Sequence, residues 1–520
     1  MNRRDFLRCA AGTGILGSAT SSGALAAGGW FPIATSTAAS GEASVAALDE
    51  RWTLGLSSVT RDSLGAASGE IEILHGRIPA TLRGTLYRNG PARHGRGGRR
   101  YTHWFDGDGM LQEFRFDDAG LSHRGRFVQT RKYREESRAG HLLYPGFGTR
   151  DASLRQPASA DAMNPANISV IAHDGELLAL WEGGSAHRVD PRDLSTIGRQ
   201  RWSEASAGLP FSAHPKRDRD GSLWNFGIAP GSGRLVIWHI GADAALRQVR
   251  ALPLPGGGAG GEPMVHDFAI TARYLVFLLP PFEFSAAAYA DGASFLDSHR
   301  WRADGAMRAL LVDKADWDRQ RLFELPAGFV FHTGGAWDDR DAVYLDYQRY
   351  ADASVVTGYA RQIMRGEPAR ADNRAVQLRL DLRGGGAQEM KIGGHGEFPR
   401  LHPRHIGRRY RYRYALADGA ADAATRQPFF SAIEARDLRS AIALRYDYGA
   451  GIAAEEHIVV PRPGGSGERD AWLLGTALDW RRGRTLISVF DAAAVDAGPL
   501  FQAALPYALP LGFHGNFVTA

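Results

Sequence analysis

Four histidines are the residues of this chain best suited to carry chemistry. The sequence holds 17 histidines, and a single histidine is more often a surface or hydrogen-bonded residue than a ligand. Imidazole is nevertheless a common ligand of transition metals. From spacing alone, a metal site built of four histidines is less favoured than the alternative, in which each histidine is a surface or hydrogen-bonded residue. The four that stand beside aromatic, Gly or Pro residues at expected strand ends lie in Ala213-His214-Pro215, Val265-His266-Asp267, Phe331-His332-Thr333 and Phe513-His514-Gly515.

Short local motifs provide no alternative chemistry. The glycine run at residues 256–261 lacks the preceding strand and following helix of a nucleotide-binding loop. The chain contains neither a G-x-S-x-G elbow nor an H-E-x-x-H helix. Cys9 is the single cysteine, which excludes disulfides, thiolate metal sites and a cysteine nucleophile from the mature protein. Any active site must therefore be assembled from residues that are distant in sequence.

The elements that must position such a site are short β-strands. Ile168–Ala172, Glu176–Trp181 and Ala186–Val189 are β-rich runs separated by turn residues, and Val376–Leu380 alternates apolar and polar side chains. Long amphipathic helical patterns are scarce, so the predicted fold class is all-β. The length favours a propeller over a single sandwich or barrel, although no blade repeat is evident. Phe282–Leu296 does not alternate and is interpreted as a loop or helical insertion above the blades.

Composition indicates an ordinary globular protein. Hydrophobic residues make up 44% of the 520 residues and charged residues 23%. The 62 basic and 57 acidic residues give a net charge of +5. The basic residues form no dense tract, which argues against a nucleic-acid partner.

The amino terminus has the features of an export signal. Arg3-Arg4 is followed by Phe6-Leu7 and by a weakly apolar Gly/Ala-rich stretch that ends in Ala24-Leu25-Ala26. Residues 1–26 are therefore predicted to be a twin-arginine signal peptide that directs a folded protein to the periplasm. Residues 27–45 read as a linker, and residues 46–520 as one β-propeller domain. A frayed basic tail and a transmembrane anchor are the less favoured alternatives.

Several ordered motifs resemble the carotenoid cleavage dioxygenase family, also called the carotenoid oxygenase or retinal pigment epithelial membrane protein family. The resemblance extends over nearly the whole mature chain, which makes a chance match very improbable. It implies a seven-bladed propeller whose loop and helical insertions cap the top face over an axial metal site. The motifs are Gly76–Pro91, His103–Leu111, Trp301 with Met307–Leu310, Glu397–Arg400 and Gly512–Asn516.

The same resemblance assigns a site. It implies one Fe²⁺ per chain, with no further catalytic residue beyond the iron centre. A carboxylate on the far nitrogen of a histidine fixes the tautomer and raises the basicity of the ligand. Glu455 competes with its neighbour Glu456 for one such role, which rests on the register of the strand. The implied iron ligands are His214, His266, His332 and His514, and the implied carboxylate partners are Glu182, Glu397 and Glu456.

One segment departs from the family pattern. Family members usually carry Asn-Ala-Tyr/Trp-Glu after the third histidine, whereas this chain has Gly335-Ala336-Trp337-Asp338. The departure leaves His332 in place but puts its local support in doubt.

The resemblance implies O₂ and a small apolar polyene as reactants, with two carbonyl products. Relatives that cleave stilbenes or phenylpropanoids typically carry a lysine where this chain has Trp181. An indole at a substrate tunnel favours a carotenoid or apocarotenoid over a phenol, although plain blade packing would also explain Trp181. A retinoid-isomerase-like enzyme and a noncatalytic ligand-binding propeller are the rival functions. A peripheral membrane contact for substrate uptake and the oligomeric state remain open.

Overall fold

Several strands of the sheets bury every second side chain. In Gly120–Phe127 every second residue is buried, the pattern expected when alternate side chains of a strand face a neighbouring layer. The computed structural model describes residues 50–255, 261–420 and 427–520. These residues belong to one compact unit, Leu48–Ala520. The predicted signal peptide and linker lie outside the described residues.

The strands follow one another in chain order. Those of the first half are β1 (Ser63–Ala66), β2 (Glu72–Gly76), β3 (Gly84–Arg93), β4 (Gly95–Arg96), β5 (Arg99–Arg100), β6 (Asp108–Asp117), β7 (Gly120–Phe127), β8 (Ser169–His173), β9 (Glu176–Leu180), β10 (His187–Val189), β11 (Thr196–Arg199), β12 (Lys216–Arg217), β13 (Leu223–Ala229), β14 (Arg234–Ile240), β15 (Leu246–Pro253), β16 (Ala269–Ile270) and β17 (Tyr274–Leu279). Those of the second half are β18 (Phe282–Phe284), β19 (His299–Trp301), β20 (Met307–Asp313), β21 (Gln320–Leu325), β22 (Phe329–Asp338), β23 (Ala342–Tyr350), β24 (Asn373–Asp381), β25 (Ala387–Lys391), β26 (Gly396–Arg400), β27 (Tyr412–Ala417), β28 (Ala432–Asp437), β29 (Ala443–Asp447), β30 (Ile452–Pro461), β31 (Ala471–Asp479), β32 (Arg484–Asp491), β33 (Pro499–Ala504) and β34 (Gly515–Thr519).

Helices are short and lie between strands. The α-helices are α1 (Arg131–Ala139), α2 (Ala286–Ala290) and α3 (Ala360–Met364), and a π-helical turn at Val355–Tyr359 precedes α3. Single 3₁₀ segments occupy Glu50–Leu56, Ser68–Glu70, Trp104–Asp106, Ala160–Ala162, Leu296–Ser298, Pro403–His405 and Val495–Ala497. In the part of the chain that the structure describes, no helix is long and apolar enough to cross a membrane.

The described residues form seven sheets of four or five strands, which are the blades of a propeller. Five blades are built from nearly consecutive strands: β8–β11, β12–β15, β16–β17 with β20–β21, β22–β25 and β26–β29. The other two combine the ends of the chain, with β2 joining β30–β33 and β34 joining β1, β3, β6 and β7. The predicted seven-bladed all-β fold is confirmed.

Pairing between the two ends of the chain closes the ring. β34 pairs antiparallel with β3, and β2 pairs with β33. The insertion predicted at residues 282–296 contains β18 and α2, and β18 pairs with β19, which follows the insertion. The inner strands of successive blades contact one another: β22 touches both β16 and β26, and β30 touches both β26 and β34. Residues on these strands can therefore meet at the axis.

Bulges interrupt three of these inner strands. The register shifts within β22 on both sides of Thr333, within β26 between Glu397 and Arg400, and within β30 between Ala454 and His457. A bulge inserts an unpaired residue and re-aims the side chains around it. Each of the three bulges lies at a residue predicted to belong to the metal site or next to one.

Candidate metal centre

The four predicted histidines converge at the propeller axis. His214 Nε2 lies 2.9 Å from His266 Nε2, which lies 3.2 Å from His332 Nε2, which in turn lies 3.1 Å from His514 Nε2. All four rings are buried, with 3–8% of their surface exposed. Three of the histidines lie within three residues of the start of a strand: His214, His266 and His514. His332 lies within β22. Four positions up to 300 residues apart are thus brought together by the closure of the ring.

Carboxylates hold the opposite nitrogen of three of these rings. His332 Nδ1 lies 2.6 Å from Glu397 Oε2, and His514 Nδ1 lies 2.9 Å from Glu456 Oε1. The Glu182 carboxylate lies against His266 Nδ1. A carboxylate at Nδ1 keeps the proton there, so the Nε2 lone pairs face the shared centre.

The neighbouring glutamates of β30 point to different partners. Glu456 bonds His514 and accepts the backbone N–H of Gly515 at 2.8 Å. Glu455 instead forms an ion pair with Arg88 at 2.8 Å and accepts the hydroxyl of Thr476 at 2.6 Å. The bulge in β30 lets consecutive residues serve two sites, and it gives the role at His514 to Glu456.

Asp267 is a buried carboxylate that sequence reasoning missed. Its Oδ2 accepts the backbone N–H of Thr333 at 2.9 Å and the Thr333 hydroxyl at 2.8 Å, and its Oδ1 lies 2.7 Å from Lys216 Nζ. It therefore ties together the residues that follow His266, His332 and His214. The signal in the sequence was its place directly after a candidate ligand.

The geometry and protonation of the centre fit a divalent cation. Burial lowers the pKa of His214 well below its usual value and that of His514 to about 4, so both rings are neutral. Lone pairs facing one another at 2.9–3.2 Å repel unless a cation lies among them. Two imidazole nitrogens that bind one ion at about 2.1 Å and at right angles to each other lie about 3.0 Å apart. The observed separations between Nε2 atoms match this distance.

The Glu397 and Glu456 carboxylates remain ionised although they are buried. Burial by itself raises the pKa of Glu397, but His332 and the hydroxyl of Tyr350 lower it below the ordinary value. Burial likewise opposes ionisation of Glu456, and Arg400 together with His514 lowers its pKa well below the ordinary value. The Arg400 guanidinium lies 2.7 Å from Glu456 Oε1. The surroundings of the histidines are thus anionic.

The segment after His332 is braced differently from the family pattern. The N–H of Gly335 donates to Asp346 at 3.1 Å, and Arg413 Nε donates to the same carboxylate at 2.8 Å. Tyr410 also bonds Asp346, and a Cβ on Gly335 would lie 2.9 Å from the Tyr410 ring. Glycine therefore makes room for a Tyr410–Asp346–Arg413 network that supports β22. The other replaced residue, Asp338, accepts the backbone N–H of Arg273 instead.

Phe398 has a backbone conformation rare for a bulky residue. Its φ is +54°, in the left-handed region, which costs of the order of 1–3 kcal/mol. The conformation places Glu397 on His332, while the Phe398 ring lies 5.0 Å from His332 and 5.2 Å from His514. The strained residue thus lies next to Glu397, which bonds His332, and places its own apolar ring beside two of the histidines.

An apolar cavity reaches the centre. The space along it, including the part open to solvent, amounts to about 980 Å³, and its lining is mostly apolar, as is usual for ligand sites. His266, His332 and His514 line it together with aromatic residues such as Phe331 and Phe513. The Phe331 ring stacks on His266 with centroids 3.8 Å apart. The lining suits an apolar molecule that lies beside the histidines.

Trp181 is not among the residues that line this cavity. It is half-buried and packs in the hydrophobic cluster that contains Phe211 and Trp238. A Cβ on Gly183 would lie 2.8 Å from the Trp181 ring, so glycine makes room for the indole. Its role in a substrate tunnel stays a prediction.

A family model described as retinal pigment epithelial membrane protein matches residues 61–519. An apocarotenoid-15,15'-oxygenase of Synechocystis is 31% identical over 86% of this chain and 92% of its own length. A carotenoid 9,10(9',10')-cleavage dioxygenase of Arabidopsis thaliana is 27% identical over 86% of each chain. An isoeugenol monooxygenase of Pseudomonas nitroreducens is 26% identical over 85% of this chain and 93% of its own length.

Solved structures of the Synechocystis apocarotenoid oxygenase share the fold. A variant of that enzyme superposes with a TM-score of 0.79 at 28% identity, covering 91% of this chain and all of its own. A cobalt-substituted form of the same enzyme gives a TM-score of 0.79 at 28% identity over 91% of this chain and 99% of its own.

Proposed function

The chain belongs to the retinal pigment epithelial membrane protein family, and on this premise we propose that it is an iron(II)-dependent dioxygenase. Its substrate is a carotenoid or apocarotenoid, in which it cleaves one carbon–carbon double bond with O₂. Each fragment then receives one oxygen atom as a carbonyl, commonly an aldehyde. The observation that carries the proposal is the set of four buried Nε2 atoms, with neighbours 2.9–3.2 Å apart, on the wall of an apolar cavity.

The histidines and the carboxylates have different roles at the centre. Bound ferrous iron would supply reactivity towards O₂, and the cobalt-substituted form of the Synechocystis relative supports a metal requirement in this family. Glu397 and Glu456 keep the proton of the paired ring on Nδ1 and so keep Nε2 free to bind metal. The Glu182 carboxylate lies against Nδ1 of His266 and balances charge there. Four protein nitrogens would leave part of the coordination sphere of the ion free for a reactant. The residues that would hold one Fe²⁺ per chain are His214, His266, His332 and His514.

The cavity orients the polyene without a covalent bond or an ion pair. Phe331, Phe398 and Phe513 form apolar surfaces beside the histidines. Such surfaces bind a polyene through burial and exclude water from the reacting atoms. Because the alkene is electron-rich, no external reductant is needed, and none of the residues is assigned as a general base.

Product analysis tests the proposal. Iron-loaded protein is incubated with ¹⁸O₂ and a panel of carotenoids, apocarotenals and hydroxystilbenes, and the products are identified by mass spectrometry. We expect an apocarotenoid to yield two carbonyl fragments, each carrying label when exchange with water is suppressed. Absence of iron-dependent cleavage across the panel would contradict the proposal.

The same panel distinguishes the proposed activity from an alternative that one comparison favours, cleavage of a phenylpropanoid. The isoeugenol monooxygenase acts, by its name, on a phenylpropanoid, so preferential cleavage of the phenolic substrates would place this chain beside that relative. Geometric isomerisation without O₂ uptake would indicate a retinoid-isomerase-like enzyme instead.

Export to the periplasm by the twin-arginine route forms part of the proposal and rests on Arg3-Arg4 and the residues up to Ala26. The paired arginines are the feature that the export receptor reads. Replacing both by lysine should leave folded, iron-loaded precursor in the cytoplasm, as measured by cell fractionation. Unchanged accumulation in the periplasm would contradict this route.

A further inference from the structure

Three charged or imidazole side chains line the apolar cavity without bonding the four histidines: those of Arg370, His395 and Glu455. Glu455 is already paired with Arg88 and Thr476. Arg370 and His395 form part of the same wall as His332 and His514. Other polar residues of this wall already have partners: the Tyr350 hydroxyl donates to Glu397 at 2.6 Å, and the Tyr359 hydroxyl donates to the Pro428 carbonyl at 2.9 Å. Arg370 and His395 therefore form a polar corner that the iron centre does not account for.

Fixed contacts hold this corner in place. Arg370 forms an ion pair with Asp418, and its Nη1 donates to the Gln427 carbonyl at 3.3 Å. His395 Nδ1 lies 3.0 Å from the Asp418 carboxylate, and its Nε2 lies 2.9 Å from the Ala371 carbonyl. Although burial opposes ionisation of Asp418, His395 and Arg370 lower its pKa. The guanidinium is thus anchored from behind by an ionised carboxylate.

The corner is more exposed than the centre but connected to it. The Arg370 side chain is 24% exposed and that of His395 is 16% exposed, whereas the four histidines are 3–8% exposed. His395 comes two residues before Glu397, which bonds His332. The Phe430 ring lies 4.9 Å from His395 and continues the apolar wall. A molecule that lies along this wall can contact both the histidines and the corner.

Arg370 has a donor to spare. No acceptor for its Nε–H occurs among the residues of the described ranges, and this atom is not sealed from solvent. Asp418 already neutralises the guanidinium, so the corner has little net attraction for an anion, and a ligand carboxylate would meet Asp418 as a like charge. An uncharged oxygen with a lone pair is the acceptor that fits.

We infer that Arg370 binds an uncharged oxygen at one end of the polyene, either a ring hydroxyl or a terminal aldehyde, and thereby sets which double bond lies beside the histidines. The inference rests on the proposed function for the identity of the substrate. A fixed contact at one end of a linear molecule sets its register along the cavity. A hydrocarbon polyene of the same length lacks this contact.

Binding without turnover tests the inference. Iron-loaded protein is titrated anaerobically with three polyenes, and the dissociation constant is measured from quenching of tryptophan fluorescence. The probes are a hydrocarbon polyene, an apocarotenal with an unsubstituted ring and the same apocarotenal with a ring hydroxyl. Arg370→Ala should weaken binding of an oxygen-bearing probe about tenfold, the size expected for loss of one hydrogen bond to a charged donor that is partly hydrated. Binding of the hydrocarbon should be unchanged.

Matched variants guard against a structural explanation. Arg365 lies in the same segment, is exposed and pairs with Glu367, so Arg365→Ala should leave all three dissociation constants unchanged. Arg370→Lys retains a charged donor and should recover part of the lost affinity, and it replaces the alanine variant if that variant does not fold. With O₂ admitted, Arg370→Ala should also broaden the set of bonds cleaved.

The outcomes are distinct. Weaker binding of the hydroxylated probe alone identifies the ring hydroxyl as the bound group, and weaker binding of both apocarotenals identifies the aldehyde. Equal weakening of all three probes, or of none, overturns the inference. If the parent protein binds the probes with this selectivity but cleaves none of them, the inference stands and the proposed function fails.

Discussion

The charged cluster beside α1 and the histidine centre are both buried, but their charges differ in balance. Beside α1, Arg96 and Lys132 face Asp108 and Glu136, with separations of 2.6–3.3 Å and side chains no more than 6% exposed. Two cations thus meet two carboxylates. Each charge has a partner within the protein.

The histidine centre has more carboxylates than cations. Four carboxylates surround the histidines, whereas two cationic side chains of the described residues, Arg400 and Lys216, form ion pairs with them. The four carboxylates are those of Glu182, Glu397, Glu456 and Asp267. Buried charge without a partner is unfavourable, so this centre requires a divalent cation from outside. The comparison separates a cluster that stabilises the fold from one that holds a metal.

Removing a ligand should have the largest effect on activity. In His514→Ala, we expect iron content and apocarotenoid cleavage to fall to background while the protein stays folded, because one metal ligand is lost and the sheets are untouched. Metal analysis, a cleavage assay and circular dichroism measure these quantities. His123→Ala is the control, since His123 is buried but bonds Tyr507 and Gln112 away from the centre. Full iron occupancy in His514→Ala would remove His514 from the ligand set.

Breaking the balanced cluster should instead affect the fold. Lys132→Met leaves two buried carboxylates facing one cation, which should lower the free energy of unfolding by about 3–5 kcal/mol. Iron content per folded chain should not change. Urea unfolding and metal analysis measure the two effects, with Lys391→Met as the exposed control. A folded Lys132→Met protein that lost its iron would break the distinction between the two clusters.

Carboxylates next to the ligands should give an intermediate effect. Glu456→Gln should weaken iron binding by about 10- to 100-fold, because the far nitrogen of His514 loses its anionic partner. Glu182→Gln and Glu397→Gln should fall in the same range. Glu455→Gln is the matched control: it deprives Arg88 of an ion pair and lowers stability, but it should leave iron affinity nearly unchanged. The reverse result for the two neighbours would shift the register of β30 by one residue.

Among the variants of the histidine centre, Asp267→Asn should have the smallest effect on iron binding. The amide can still accept a hydrogen bond from Thr333, but the centre loses the negative charge of Asp267. We expect iron affinity to fall by about 10-fold, the lower end for a partner of a ligand. Calorimetric titration with ferrous iron measures the change, with the exposed Asp318→Asn as control. Unaltered affinity would show that Asp267 only braces the segments.

Strand patterns predicted the fold class, and motifs predicted its family. Alternation in segments such as Val376–Leu380 indicated sheets, and β24 there has the expected burial. The closure of the ring by β3–β34 and β2–β33 could not be deduced from local patterns, because each pair joins segments more than 400 residues apart. The four histidines are also far apart in sequence, so their spacing alone did not favour a single site. The resemblance supplied that assignment.

Other features of the site were outside the reach of sequence reasoning. The replacement by Gly335 cast doubt on the support of His332, because Asp346 and Tyr410 come from other strands or loops and meet Gly335 only in the folded chain. The choice between Glu455 and Glu456 depended on a bulge. Arg370 and Asp267 gave no motif, since their roles follow from contacts with distant residues.

The most direct test of the central claim is a ferrous titration of metal-free protein. Protein treated with a chelator is titrated anaerobically with Fe²⁺ in a calorimeter, and the loaded sample is then given O₂ and an apocarotenoid. The account predicts saturation at one ion per chain and cleavage that rises in proportion to the iron bound. Absence of saturable binding, or a protein loaded with one ion that cleaves no polyene, would contradict it.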